Sequence, residues 1–465
     1  MFVMKRYIIK ALSKLSLLFT ACFLLLSCEK YLDVKPDQML AVPESLDDLQ
    51  AIIDNYPFQI TQSDALEVGA GEFVVTDANL ASLSSDFHRR MYQWDPYNLF
   101  QEGTIASDWA RYYTTIYNCN TALEGLAKIE RNNLNAAQYD QIKGRALFVR
   151  AEKLFHASLV WCMVYDPKNA SNTLGMPIRL DTDFNKRSSR ASLEDTYKQI
   201  IADATLAAQL LVEQTSSPVE PNRCIADALL AKVYLYMADY ENAFKYADAA
   251  LVLNNQLLDY STLDATKPYP IPQFNKEVIY HCLAGYPQIL NTVRAQIVDD
   301  LIASYEPNDL RLDLFFIKNA DGTYGFRGLY TGTTSLFMGI AADELYLIRA
   351  EAAVRLQKTD IAMKDLNALL VTRFKKENGK TTYREIHDMN SDELLTRILL
   401  ERRKSLIFRG IRWYDLKRLN RDGANIVLKR KVEGKEFILQ PNDLRYALPI
   451  PNDIIELSDI VQNPR

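Results

Sequence analysis

Apolar residues recur at helical spacing over most of the chain. After Ser45, the residues Leu46, Leu49, Ile52 and Ile53 share one face, with Asp47 and Asp48 in the first turn, and predict a helix. The same spacing carries Tyr113, Ile116, Tyr117 and Asn120 through residues 105–129, and Ala146, Val149, Leu154 and Leu159 through 135–165. A further amphipathic run covers 192–213. The most informative pattern lies at 223–253. There Ala231 precedes Tyr234, Tyr240 marks a turn, and Ala243, Ala247 and Ala250 line the next helix. Small residues alternating with large ones let two antiparallel helices approach closely, which is the signature of TPR-like pairs. A second copy runs through 342–370, with Ala231 mapping onto Ala350 and Ala243 onto Ala362. A weaker one pairs Ala151 and Leu154 with the helix around Tyr197 and Ala204. Helix is predicted again at 391–419, and the end from Leu444 is extended and punctuated by proline.

Two intervals break the helical pattern. Residues 56–105 are rich in Asp, Asn, Ser and aromatics and predict long loops with short helices. Residues 254–340 hold Pro268, Pro270, Pro272 and Pro287 with several glycines, and 321–332 predicts a β-hairpin. Long ordered loops in a compact domain are usually functional. The first interval offers Tyr92, Trp94, Tyr97 and Asn98 within one short loop. An aromatic face stacks on the C–H side of a pyranose while an amide bonds its hydroxyls, so this loop is the candidate sugar platform. Tyr269, Phe274, Tyr286, Tyr324 and Tyr330 of the second interval are candidates for the same site. Trp109, Trp161 and Trp413 lie on helical segments and read as core.

The N-terminus changes the compartment. Lys5, Arg6, Lys10 and Lys14 precede an apolar run from Leu15 to Leu26, which is shorter than the roughly 20 residues a membrane span needs. The run ends Leu26-Ser27-Cys28, the order a lipoprotein signal peptidase requires. Residues 1–27 are therefore expected to be a signal peptide, Cys28 to carry lipid, and 28–44 to be a tether before one domain over 45–465. Two or more acyl chains anchor stably where one is marginal. Cys22 leaves with the signal. Cys119, Cys162, Cys224 and Cys282 are widely spaced among apolar residues and read as small buried hydrophobes, although their compartment permits disulfides.

Charge narrows the partners. The chain carries 54 basic and 59 acidic residues, net −5, and four of the basic ones fall in the signal. A mildly acidic protein is poorly suited to neutralising phosphates, so no nucleic-acid partner is expected. The 26 tyrosines exceed what a helical core needs and place rings on surfaces. Neither HExxH, nor GxSxG, nor a phosphate-binding GxxxxGK[ST] loop occurs, and the four histidines are scattered. Binding rather than catalysis is expected, with neither metal nor cofactor. A carboxylate pair of a cell-surface hydrolase has no sequence signature to test.

Several segments together resemble the SusD/RagB family of outer-membrane lipoproteins of Bacteroidetes. They are the mature start CEKYLDVKP, DWARYYTTIYNCN at 108–120 and ELYLIRAEA at 344–352. To these add Glu401-Arg402-Arg403 through Phe408, Gly410, Arg412, Asp415, Leu416 and Arg418, and the ending with Pro449, Pro451, Gln462, Asn463 and Pro464. Ser405 and Arg409 depart from the family's more frequent Glu, and Arg465 from its frequent Gly. The resemblance implies a mainly α fold with TPR-like helix pairs (about 105–253 and 342–419), long irregular loops and a few short β-hairpins. The loops at about 56–105 and 254–340 would face ligand. It further implies a glycan ligand delivered to a SusC-like TonB-dependent outer-membrane barrel, with the protein lipid-anchored in the outer membrane and facing outward. A peptide-binding member of the family and a TPR scaffold that docks envelope proteins are the competing readings. The Glu401–Arg418 cluster itself reads as structural, its Arg–Glu pairs tying helices together.

Overall fold

The computed structural model describes residues 43–97, 99–100, 108–285, 287–328 and 330–465. Within the unit from Leu46 to Arg465 the helices stack in chain order. Helix α1 (Leu46–Ile53) packs on α2 (Asp108–Leu126) and α3 (Ala136–Trp161), and α4 (Leu193–Leu210) lies against α3. Then α5 (Arg223–Met237), α6 (Tyr240–Leu253), α7 (Ala342–Arg355) and α8 (Thr359–Val371) follow, each against the one before. Helix α9 (Ser391–Ser405) closes on α7 and α8, and α10 (Arg412–Arg421) reaches back to α5. Among the described residues no helix is long and apolar enough to cross a membrane.

The expected pairs form for the expected reason. Ala231, Ala243, Ala247, Ala250, Ala350 and Ala362 are all buried in the helix contacts. Ser192, Asn222, Asp239 and Asn390 each start a helix by accepting the backbone N–H three residues on. The turns repeat as well as the helices. The offset that carries Ala231 onto Ala350 carries Ala238, left-handed at φ 64°, onto Gln357, left-handed at φ 60°. Trp109, Trp161 and Trp413 are core, and all four described cysteines are buried free thiols. In α9 the buried apolar residues are Leu394 and Ile398, while Leu395 and Leu399 are only half-buried.

Residues 254–341 form an excursion from the stack, because α6 packs directly on α7 across it. The excursion is closed at its base, where Val278–Tyr280 pairs antiparallel with Ile340–Ala341. Leu283–Ala284 pairs with Leu336–Phe337 just beyond. The hairpin expected at 321–332 starts earlier, with strands Phe316–Lys318 and Tyr324–Phe326. Its first strand has no turn residue to announce it, so only the turn and the second strand were visible in the pattern. The two irregular intervals meet. Phe73 and Val74 pair with Ile297 and Gln296, Thr61 bridges to Leu283, and Ser84 donates to the Gln288 side chain. A hairpin that the hydrophobic pattern does not announce, Leu428–Val432 with Lys435–Leu439, follows α10.

Buried ion pairs tie these layers. Arg418 of α10 reaches Glu351 of α7 through both terminal nitrogens, at 2.6 and 2.8 Å, and Asp415 through Nε at 2.7 Å. Arg402 Nε meets Asp415 at 2.8 Å, and Arg409 holds both oxygens of Asp343 at 2.9 and 2.8 Å. Arg409, which departs from the family's acid, thus has its own carboxylate. Gly410 stands at φ 73°, and a Cβ there would lie 2.7 Å from Met338 Sδ.

The Gly410 N–H donates to Glu67, a fully buried carboxyl on the short helix Ala65–Gly69. Burial, helped by nearby Glu72 and opposed by that N–H and by Arg412, pushes the Glu67 carboxyl up to about 8. The native state therefore holds a proton that the unfolded chain releases near its ordinary value. Stability from this group is complete at low pH and falls as pH rises toward 8. Glu67→Gln should accordingly raise the melting temperature at pH 8–9, change little at pH 5 and flatten the profile between. Melting curves across that range are the check, and an unchanged slope would remove Glu67 as its source.

Candidate functional site

The ring platform expected at 91–98 does not form on the surface. Trp94 is 3% exposed, and its Nε1–H donates to the Gly69 carbonyl at 3.0 Å. Tyr92 is buried, its hydroxyl accepting from the Val75 N–H at 3.1 Å. Both rings face a cation of the chain itself. The buried Arg430 guanidinium sits 4.0 Å from the Tyr92 ring centre and 4.6 Å from that of Trp94, and donates to the carbonyls of Tyr92 and Val68. Its partners are π faces and carbonyl dipoles rather than an acid. Tyr330 is also core. Its hydroxyl donates to Glu277 at 2.5 Å and lies 3.0 Å from the Tyr260 hydroxyl. Tyr324 is half-buried on its strand. Spacing could not reveal these fates, because a buried aromatic cage and an exposed platform share one composition.

Tyr97 remains 71% exposed, while Cys28, Asn98 and Tyr286 lie outside the described residues. Tyr269 is 36% and Phe274 51% exposed, both in the excursion. Trp94, Phe274 and Tyr330 all adopt the left-handed backbone that non-glycine residues rarely enter, at φ 52° each. For Trp94 and Tyr330 burial compensates. For Phe274 it does not, and uncompensated strain points to a use outside the core.

Phe274 stands at a cleft of about 250 Å³ between the loop joining α4 to α5 and the foot of the excursion. Its ring meets the buried His281 edge-on at 4.8 Å, which fixes one side and leaves the other to solvent. Burial lowers that imidazole to about 4, so it is neutral. The cleft is lined by amides and hydroxyls, with no carboxylate among the described lining residues. Some of these groups serve the fold, as Asn222 does by capping α5 and Thr215 by bracing its loop. Others are unspent. The side chains of Ser216, Gln256 and Lys276 make no hydrogen bond among the described residues, and Asn254 uses only its oxygen. A half-exposed ring beside unspent amide, hydroxyl and ammonium groups can hold a polyhydroxylated ligand.

A second cleft, about 290 Å³, lies between α2, the loop 177–188 and the segment 454–460. Tyr113, Ile116, Tyr117 and Asn120, the helical stripe of the sequence, all face it. The Tyr117 and Phe184 rings lie tilted against each other at 5.1 Å. Here most polar groups are occupied, the Tyr117 hydroxyl and the Trp109 indole N–H being the ones without a hydrogen bond among the described residues. Asn120 donates to the carbonyls of Arg179 and Asp181, and Thr182 binds Glu124. This cleft offers mainly rings and aliphatic surface.

Comparison with known proteins places the chain among relatives. Residues 30–235 match a family described as starch-binding and associating with the outer membrane, and residues 342–465 match the SusD family. No curated protein matches in sequence. A SusD superfamily protein of Bacteroides thetaiotaomicron superposes with a TM-score of 0.73 at 23% identity, over 90% of this chain and 100% of that one. A putative sugar binding protein of Bacteroides vulgatus gives 0.71 at 21% identity, over 91% and 99%. A SusD-like carbohydrate binding protein of the same species gives 0.61 at 18%, over 89% and 96%. At these identities the likeness is one of fold.

Proposed function

The chain belongs to the SusD/RagB family, and from that premise we propose that it captures oligosaccharide or polysaccharide at the bacterial surface. In this reading Cys28 carries the lipid that holds it to the outer membrane, and the captured glycan passes to a SusC-like TonB-dependent barrel. Sugar is held at the cleft beside Phe274. One observation carries that assignment: an aromatic side chain in a strained backbone conformation is left half-exposed over unspent hydrogen-bonding groups. A cleft near 250 Å³ is smaller than the roughly 300–1,000 Å³ of drug-sized sites, which suits one or two sugar rings of a longer chain. Sugar-binding relatives of the same fold support the ligand class. The apolar cleft on α2, with Phe184 and Leu457 strongly exposed, suits a protein partner better than a sugar.

Titration of the full-length protein in detergent with a panel of plant and host polysaccharides tests this reading. Saturable binding to one class is expected. Phe274→Ala should weaken it about tenfold, the loss of one stacking ring being worth on the order of 1 kcal/mol or more. The melting temperature should hold, since the ring is largely outside the core. Undiminished affinity in that variant would move the site elsewhere. Binding of peptides with no response to any glycan would replace the ligand class.

A further inference from the structure

A third cavity lies where the two irregular intervals and the unannounced hairpin meet. It encloses about 240 Å³ beside Phe73–Val74, Val298 and Leu428. Its lining holds four cations, Arg403, Arg412, Lys429 and Arg430, against two carboxylates, Glu72 and Asp300. That surplus occurs in a chain whose net charge is −5.

The carboxylates do not balance it. Glu72 is buried and shared by two guanidiniums. Arg403 bonds it through Nε at 3.1 Å and Nη2 at 2.9 Å, and Arg412 Nε approaches at 2.5 Å. Asp300 is largely exposed and, among the described residues, has Arg403 as its one ion-pair partner, at 2.7 Å. The terminal nitrogens of Arg412 make no hydrogen bond among the described residues, although one Arg–carboxylate pair would suffice to brace the loop. Lys429 stands on the rim, 61% exposed and only 3.7 Å from Glu436. Arg430, buried behind the wall, has carbonyls and rings for partners, so its charge adds to the field without an acid to offset it. Positive potential focused by a low-dielectric wall concentrates anions.

The opening is flanked by Val74 and Val427, 40% and 39% exposed. A bare oxyanion has no use for such surface, whereas the C–H face of a pyranose covers it. The volume likewise exceeds what one oxyanion fills. We propose that this cavity binds a single anionic sugar residue, its carboxylate or sulfate held by the free edge of Arg412 and by Lys429. The site is separate from the Phe274 cleft and stands or falls without it.

Calorimetric titration of the full-length protein with galacturonate, and with galactose as the neutral control, tests the assignment. Galacturonate should bind saturably and galactose at least tenfold more weakly, with affinity falling as salt rises. Lys429→Glu on the exposed rim should weaken galacturonate at least fivefold without moving the melting temperature. Arg412→Met should weaken it further, and Phe274→Ala should leave it unchanged. Polygalacturonate separates the sources: binding of the polymer alone identifies a residue within a chain, and binding of the monomer a free sugar. Equal binding of galactose and galacturonate, no binding of galacturonate in either form, or indifference to both charge variants would each overturn the proposal. Saturable binding of inorganic sulfate in place of any sugar would do so as well.

Discussion

Arg418→Met is expected to lower folding stability by about 3–5 kcal/mol, the range found when one partner of a buried ion pair is removed. Arg418 is 1% exposed and gives three nitrogens to two carboxylates, Glu351 on α7 and Asp415 on its own helix. Truncation would leave Glu351, fully buried, with only the edge of Arg355 at 3.3 Å. Asp415 would keep Arg402. The cost is thus the stranded charge of Glu351 more than the lost attraction. It follows that Arg418→Met combined with Glu351→Met should recover more than half of the loss, because an apolar pair of similar volume has nothing to desolvate. Denaturant unfolding of the three variants measures this. A single-variant cost below about 1 kcal/mol would mean that packing, not this pair, holds α10 to α7.

Trp94→Ala should lose about 3–5 kcal/mol of stability, as large-to-small changes at buried aromatic sites do. In the folded fraction it should leave glycan affinity as it was. The ring fills space beneath Gly69 and forms one wall of the Arg430 cage. Its removal opens a void and exposes a buried cation that has no acid partner among the described residues. Parallel unfolding and binding measurements separate the effects. Preserved stability with lost binding would return Trp94 to the ligand site.

The helical stack was readable because its physics is local and periodic. Ala231 and Ala350 announce close helix approach within a few residues of where they act. The Glu401–Arg418 cluster was also readable as structure, since carboxylates and guanidiniums spaced along α9 and α10 have obvious mates. The candidate site was less readable. Tyr92 and Trp94 look like a platform until Arg430 arrives from more than three hundred residues away to occupy their faces. Phe274 was only one ring among several, and what singles it out is a left-handed backbone combined with a half-exposed side chain, neither of which composition encodes. Gln256, Ser216 and Lys276 carry no motif at all. They become a site only when the loop between α4 and α5 folds against the excursion. The 428–439 hairpin has no clear alternation to announce it, because charged and apolar residues mix along its strands and only Arg430, Val432 and Leu439 are buried.

The closure of residues 254–341 at their base has an evolutionary and kinetic reading. Because α6 meets α7 directly, the excursion can lengthen or shorten beyond its base without breaking that helix contact, as long as it keeps its own ties to α9, Arg311 to Glu401 and Asp309 to Lys404. Loop-closure entropy barely penalises this, each doubling of length costing only about 0.6 kcal/mol. The burden falls on speed instead. The docking of α7 must wait for a distant segment to return, so the two halves of the stack should mature at different times, and relatives with longer excursions should fold more slowly at little cost in final stability.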